Sequence, residues 1–340
     1  MKTPSHPKHI LVIRLSALGD VAMTVPVIRA ITKQYPEVKI TVLTREFFTP
    51  IFRNINRVEV FSVDVKRKHK GVLGLYKLSR EIKTLKIDAI ADLHNVLRSK
   101  ILTGFLSGIK TVQINKGRKE KKDLISGKHF TQLKTTHQRY ADVFRGLGFE
   151  VNLTSPEFPP KTILNETARQ ITGPKNKKWI GVAPFAAHKG KTYPAEKMLQ
   201  VVQALAEEYK VFLFGGGIAE IEQLDTWENK PNLYNLAGKL SLAEELDVIS
   251  NLDLMLSMDS GNAHLAAMFG IPVVTLWGVT HPYAGFAPFN QPAENNLLAN
   301  RNSYPKIPTS VYGKTYPKAY ENAAGSIPVE AIIKKIKANL

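Results

Sequence analysis

Residues 253–264 (DLMLSMDSGNAH), followed by 270–278 (GIPVVTLWG), read as strand, tight polar turn, helix, Gly-Pro break and strand. The turn places Asp259, Ser260, Gly261 and His264 where a helix begins. A helix start carries unpaired N–H groups and a partial positive charge, so it suits a phosphate. Apolar strands on both sides of a helix also mark a βα unit, the building block of a buried parallel sheet.

The same rhythm extends in both directions. Downstream of 178, strands are predicted at 179–183, 211–214, 252–256 and 273–277, and helices at 195–208, 219–227, 242–250, 262–269 and 329–338. Residues 287–325, rich in Asn and Pro, read as irregular. In the first half, strands are predicted at 9–14 (HILVIR), 39–43, 58–61, 87–92 and 111–114. Helices are predicted at 20–33, 73–85, 96–106 and 136–147, while 116–128 (KGRKEKKDLISGK) is too charged to be core. Residues 152–178, with four prolines, read as a connection holding one short helix at 165–171. The expectation is an α/β protein of two Rossmann-like, doubly wound domains facing a central cleft, with ligands at the strands' carboxyl ends. The domains are expected at 1–160 and 161–326, with a C-terminal helix at 327–340 that can pack back on the N-terminal domain.

At 340 residues the chain is long enough for two cores. It has no cysteine, which excludes disulfides and thiolate metal sites, and no apolar run long enough to span a membrane. The polar start, residues 1–9, does not read as a signal peptide, so a cytoplasmic enzyme is expected. The net charge is +18, and it is lopsided. Residues 1–160 carry 29 Lys+Arg against 13 Asp+Glu, residues 161–340 only 18 against 16. A field of that kind points the first half at a polyanion.

Several loops carry candidate chemistry. The first strand runs into Leu15-Ser16-Ala17-Leu18-Gly19-Asp20, which lacks the G-x-G-x-x-G of a dinucleotide site and presents Ser16 and Asp20 instead. Asp20 reads equally as a helix cap and as a catalytic carboxylate. Residues 211–220 (VFLFGGGIAE) supply a partial glycine fingerprint, with Glu220 or Glu222 able to accept hydrogen bonds from a ribose diol. Residues 184–194 (PFAAHKGKTYP) put lysines in a loop after a strand, where they suit a diphosphate. No D-x-D run occurs, so no metal is expected.

Together these segments resemble the glycosyltransferase family 9 heptosyltransferases. The matching pieces are 10–29 (ILVIRLSALGDVAMTVPVIR), 191–194 (KTYP), 214–220, and 259–264 with the following Gly-Ile-Pro-Val strand and 277–282 (WGVTHP). The resemblance implies a GT-B fold and metal-independent, inverting transfer of heptose from ADP-heptose to the lipopolysaccharide inner core, without a cofactor. It implies acceptor binding in the N-terminal half and donor binding in the C-terminal half. Asp20 falls where the family places its general base. Lys191 matches a donor-phosphate lysine, and Glu220 most nearly matches the acid that holds the ribose. Asp259, Ser260, Gly261 and His264 match the D-[ST]-G-x-x-H donor motif. The chain departs from the family at Ala186 and Ala187, where hydroxyl residues are frequent, and at Tyr193, where Trp is frequent. These departures bear on the sugar more than on the nucleotide diphosphate.

On this reading the basic half has a use. Ser16, with Lys66, Arg67 and Lys68 of one basic run and Arg118 and Lys119 of the other, would meet an anionic glycolipid acceptor. The protein would contact the anionic inner-membrane surface peripherally from the cytoplasmic side. The competing readings are a GT-B transferase for another sugar nucleotide and a basic nucleic-acid-binding protein. The latter leaves Asp20 and the second half's loops unexplained and has no RNA-recognition signature, so no nucleic acid is expected.

Overall fold

The computed structural model describes residues 6–228 and 230–340. The chain divides into two compact units, one of residues 1–116 and 136–158, the other of 117–135 and 159–340. The segment 117–135 therefore leaves the N-terminal domain to which 1–160 assigned it. With it go six basic and two acidic residues, which narrows the charge contrast between the halves.

The first unit is built on β1 (His9–Ile13), followed by helices α1 (Leu18–Ala22) and α2 (Thr24–Gln34). Then come β2 (Lys39–Thr44), a 3-10 stretch at Glu46–Phe52, β3 (Val58–Ser62), α3 (Gly71–Lys83), β4 (Ala89–Asp92), α4 (Leu97–Phe105) and β5 (Lys110–Gln113). The sheet is wholly parallel, in the order β3-β2-β1-β4-β5. Ile10 to Ile13 are fully buried, as a central strand covered on both faces requires. One packed side holds Leu11, Ile13, Leu75, Leu78, Ile82 and Leu102. The expected single helix at 20–33 is split at Met23. Pro26 explains the split: it has no N–H for the Ala22 carbonyl, and its ring collides with that carbonyl.

The run read as too charged for core forms α5 (Arg118–Ile125), which belongs to the second unit. Lys121 and Leu124, one turn apart, turn inward, and the Lys121 ammonium lies 4.0 Å from the Phe286 ring centroid. Phe130 meets His281 edge-on and Tyr283 at a tilt, and the Leu133 N–H donates to the Tyr283 carbonyl. These contacts tie 117–135 to its unit. The chain returns to the first unit with α6 (Thr136–Leu147).

The second unit continues with α7 (Glu166–Thr172), β6 (Trp179–Ala183), α8 (Ala195–Glu208), β7 (Lys210–Leu213), α9 (Ile218–Asp225) and β8 (Leu233–Asn235). Then follow α10 (Leu242–Ser250), β9 (Leu254–Met258), α11 (Gly261–Ala267), β10 (Val273–Trp277), β11 (Asn296–Leu298) and α12 (Val329–Ala338). Its sheet is also parallel, in the order β11-β10-β9-β6-β7-β8. Ser241 and Glu244 form a capping box that starts α10. The apolar stripe of α12 is buried against α8, with Ile332 and Ile336 in that unit's core. Tyr193 anchors the approach to α12 by donating its hydroxyl to the Ile327 carbonyl at 2.7 Å.

Candidate active site

Each sheet has one point where the chain turns from building one side to building the other: β1/β4 in the first unit, β6/β9 in the second. Loops leaving adjacent strands at such a point splay apart and open a crevice at the carboxyl ends. Both candidate clusters lie there.

In the first unit, Arg14 follows β1 and His94 lies just after β4. Arg14 is buried, and its Nη1 donates to the Leu93 carbonyl at 2.7 Å. Its Nη2 meets Asp20 Oδ2 at 2.5 Å. The same oxygen accepts the Ala17 N–H at 3.3 Å, so Asp20 also serves the helix start. The carboxylate is still 28% exposed and reachable by substrate. Ser16 Oγ lies 3.4 Å from His94 Nε2. Burial, and then the neighbouring Arg14 cation, push the His94 imidazole down to about 4. Near neutral pH it is uncharged. The arrangement provides an oriented carboxylate at a strand's carboxyl end, beside a hydroxyl and a neutral imidazole.

In the second unit, Lys191 comes from the loop after β6, and Asp259 directly follows β9. Lys191 Nζ and Asp259 Oδ2 are 2.9 Å apart, and Thr280 Oγ1 donates to the same oxygen at 2.8 Å. The lysine loop is fixed by close backbone packing. The Val279 N–H donates to the Gly190 carbonyl at 2.9 Å. A Cβ on Gly278 would stand 2.2 Å from that carbonyl oxygen, and one on Gly313 would stand 2.5 Å from Lys191 Cγ. Ser260 Oγ lies 3.1 Å from Ser257 Oγ, and Gly261 opens α11, on which His264 is buried. A fixed cation beside peptide N–H groups at a helix start is a cradle for a phosphate.

Other expected residues are placed less directly. Glu220 Oε2 accepts the Gly216 N–H at 2.7 Å, closing its own glycine turn. Lys66, Arg67 and Lys68 lie in the loop after β3; the Lys66 and Arg67 N–H groups donate to Asp64, and Lys68 pairs with Glu81 at 3.0 Å. Arg118 and Lys119 are exposed at the start of α5, so the structure separates them from the other basic run by unit. Tyr193 is a core residue, 1% exposed. Arg14, His94 and Thr280 were not singled out from the sequence. Arg14 had a readable signal, a cation ending an otherwise apolar buried strand.

A family model for glycosyltransferase family 9 (heptosyltransferase) matches residues 75–319. The chain belongs to that family. It is therefore a glycosyltransferase. The chain is 26% identical over 302 residues to the lipopolysaccharide core heptosyltransferase OpsX of Haemophilus influenzae, covering 84% of this chain and 82% of that protein. Among solved structures, a family 9 glycosyltransferase from Veillonella parvula superposes with a TM-score of 0.75 at 22% identity, covering 98% and 97% of the two chains. The Escherichia coli heptosyltransferase WaaC with ADP superposes with a TM-score of 0.69 at 19% identity, covering 98% and 100%. The two parallel sheets are thus those of the GT-B class.

Proposed function

We propose that the protein transfers heptose from ADP-heptose to the lipopolysaccharide inner core, Kdo-lipid A or an already heptosylated core, with inversion and without a metal. The observation that carries this reading is its alignment along most of its length with a lipopolysaccharide core heptosyltransferase. In it, acceptor is bound through Ser16, Lys66, Arg67 and Lys68 of the N-terminal domain and through Arg118 and Lys119 of the 117–135 segment, which clusters with the second unit. The C-terminal domain (161–326) binds donor through Lys191, Glu220, Asp259, Ser260, Gly261 and His264. The protein works at the cytoplasmic face of an anionic membrane, in peripheral contact with it.

The chemistry follows from the two clusters. Asp20 takes the proton of an acceptor hydroxyl as that oxygen bonds to the anomeric carbon. The bond from that carbon to the diphosphate breaks, and its electron pair leaves with the nucleoside diphosphate. Lys191 and the N–H groups of Ser260 and Gly261 offset the charge that develops there. Glu220 Oε1 is the oxygen left for a ribose hydroxyl, since Oε2 holds Gly216.

A thermal-shift panel of ADP, UDP and GDP compounds and NAD tests the donor. A ligand at 100 times its dissociation constant adds about 2.7 kcal/mol, roughly a few degrees at this chain length. A shift with ADP compounds alone supports the reading; no shift with any nucleotide overturns it.

A further inference from the structure

The first unit carries exposed apolar side chains, next to the basic run at 66–68 assigned to the acceptor, that the donor and acceptor chemistry does not use. Among the exposed large apolar side chains are Leu73 (85%) and Val72 (57%) in the first turn of α3, Tyr76 (49%) one turn on, and Leu97 (75%), the first residue of α4. The two helices pack together, with Tyr76 meeting Phe105 edge-on at 5.5 Å. In a parallel sheet, a helix that follows a strand begins at that strand's carboxyl end. Hence Leu73, after β3, and Leu97, after β4, share an edge with Asp20, after β1.

On the two segments that carry these side chains the exposed charge has one sign. Lys66, Arg67, Lys70 and Lys77 are exposed on the loop and helix beside Leu73, and Arg98 and Lys100 beside Leu97. No acidic residue occurs from 65 to 80 or from 93 to 119. Of the acids just outside, Asp64 is engaged by its own loop, Glu81 by Lys68 and His69, and Asp92 is buried. A protein partner of mixed charge would leave these cations unmatched. An anionic bilayer would match these cations and accept the leucines into its acyl boundary.

We infer that this edge is a membrane-docking surface in which Leu73 and Leu97 insert among anionic phospholipids while the surrounding cations hold the headgroups. The inference rests on the reading of the acceptor as lipid-borne and adds to it. Attachment is apolar as well as electrostatic, and it presents the Asp20 edge to the layer that holds the acceptor.

The test uses the full chain with vesicles of phosphatidylglycerol and phosphatidylethanolamine. Leu73→Ser and Leu97→Ser should each weaken partitioning at physiological salt by about tenfold, as expected for a partly buried leucine. At low salt the double variant should still bind through its cations. Trp179, Trp227 and Trp277 are buried, so emission from Leu73→Trp is readable; it should shift to the blue when vesicles are added. Equal partitioning of double variant and wild type, or no emission shift, overturns the inference. Transfer to a deacylated acceptor should be unchanged in the double variant. Absence of transfer in every form would count against the proposed activity and leave the vesicle result standing.

Discussion

Arg14 holds Asp20: the guanidinium donates to the Leu93 carbonyl with one nitrogen and meets the carboxylate 2.5 Å away with another. The strand neighbouring β1 thereby sets the direction of the candidate base. Arg14→Met keeps length and apolar packing but removes both contacts. Turnover should fall about 10- to 100-fold, as for loss of one or two charge-assisted bonds, while the donor dissociation constant stays within about twofold. Asp20→Ala should cost more, about 10²–10⁴-fold in turnover, again with donor binding kept. Near wild-type turnover in Asp20→Ala would remove Asp20 from the mechanism.

Lys191 and Asp259 call for a paired experiment, because each is the other's partner. Lys191→Met should weaken ADP binding by about 10- to 100-fold, and it should lower the melting temperature because Asp259 loses its counter-charge. Adding Asp259→Asn removes the stranded charge and keeps an acceptor for Thr280 Oγ1. The double variant should recover the melting temperature without recovering ADP affinity, as calorimetry and thermal denaturation would show. Recovery of both would mean that the lysine supports the fold alone.

The long elements were legible because their apolar spacing is dense: 179–183, 195–208, 242–250, 273–277 and 329–338 coincide with strands or helices of the structure. The edge strands β8 and β11, three residues each, offer too few positions for any pattern. The helix α5 was hidden by its charge, since Lys121 faces inward only because Phe286 receives its ammonium. The same limit applies to the candidate site. A motif shows Asp20 and Asp259 but not which neighbours orient them: Arg14 sits in the same motif as Asp20, while Lys191 comes from the loop after β6.

Gly278 tests the lysine loop without touching a charged group. A Cβ there would lie 2.2 Å from the Gly190 carbonyl oxygen, so Gly278→Ala must push the 189–191 turn away and break the bond from the Val279 N–H. The cost should be about 1–3 kcal/mol, an overpacking penalty. The donor KM should rise severalfold as Lys191 moves. Donor KM and melting temperature together check this; a lower melting temperature with unchanged KM would detach the loop from donor binding.

His281 yields a prediction in pH. Burial, and then Arg301, push its imidazole down to about 4 in the folded chain, whereas the unfolded chain takes up its proton near 6.5. Between those values the unfolded state binds more protons, so this histidine's contribution to stability is complete above pH 6.5 and is lost as pH falls toward 4. The loss is about 2.5 kcal/mol on going from pH 7.5 to 4.5. His94 acts in the same direction, while burial of Glu245, which raises its carboxyl to about 7, acts in the opposite one. The wild-type profile therefore mixes signs, and a variant isolates the effect. His281→Asn retains an acceptor for the Tyr283 N–H, which His281 Nδ1 receives at 3.2 Å. Urea denaturation at the two pH values should show the wild type losing about 2.5 kcal/mol more than the variant. Parallel losses would mean that the His281 imidazole is protonated as readily in the folded chain as in the unfolded one.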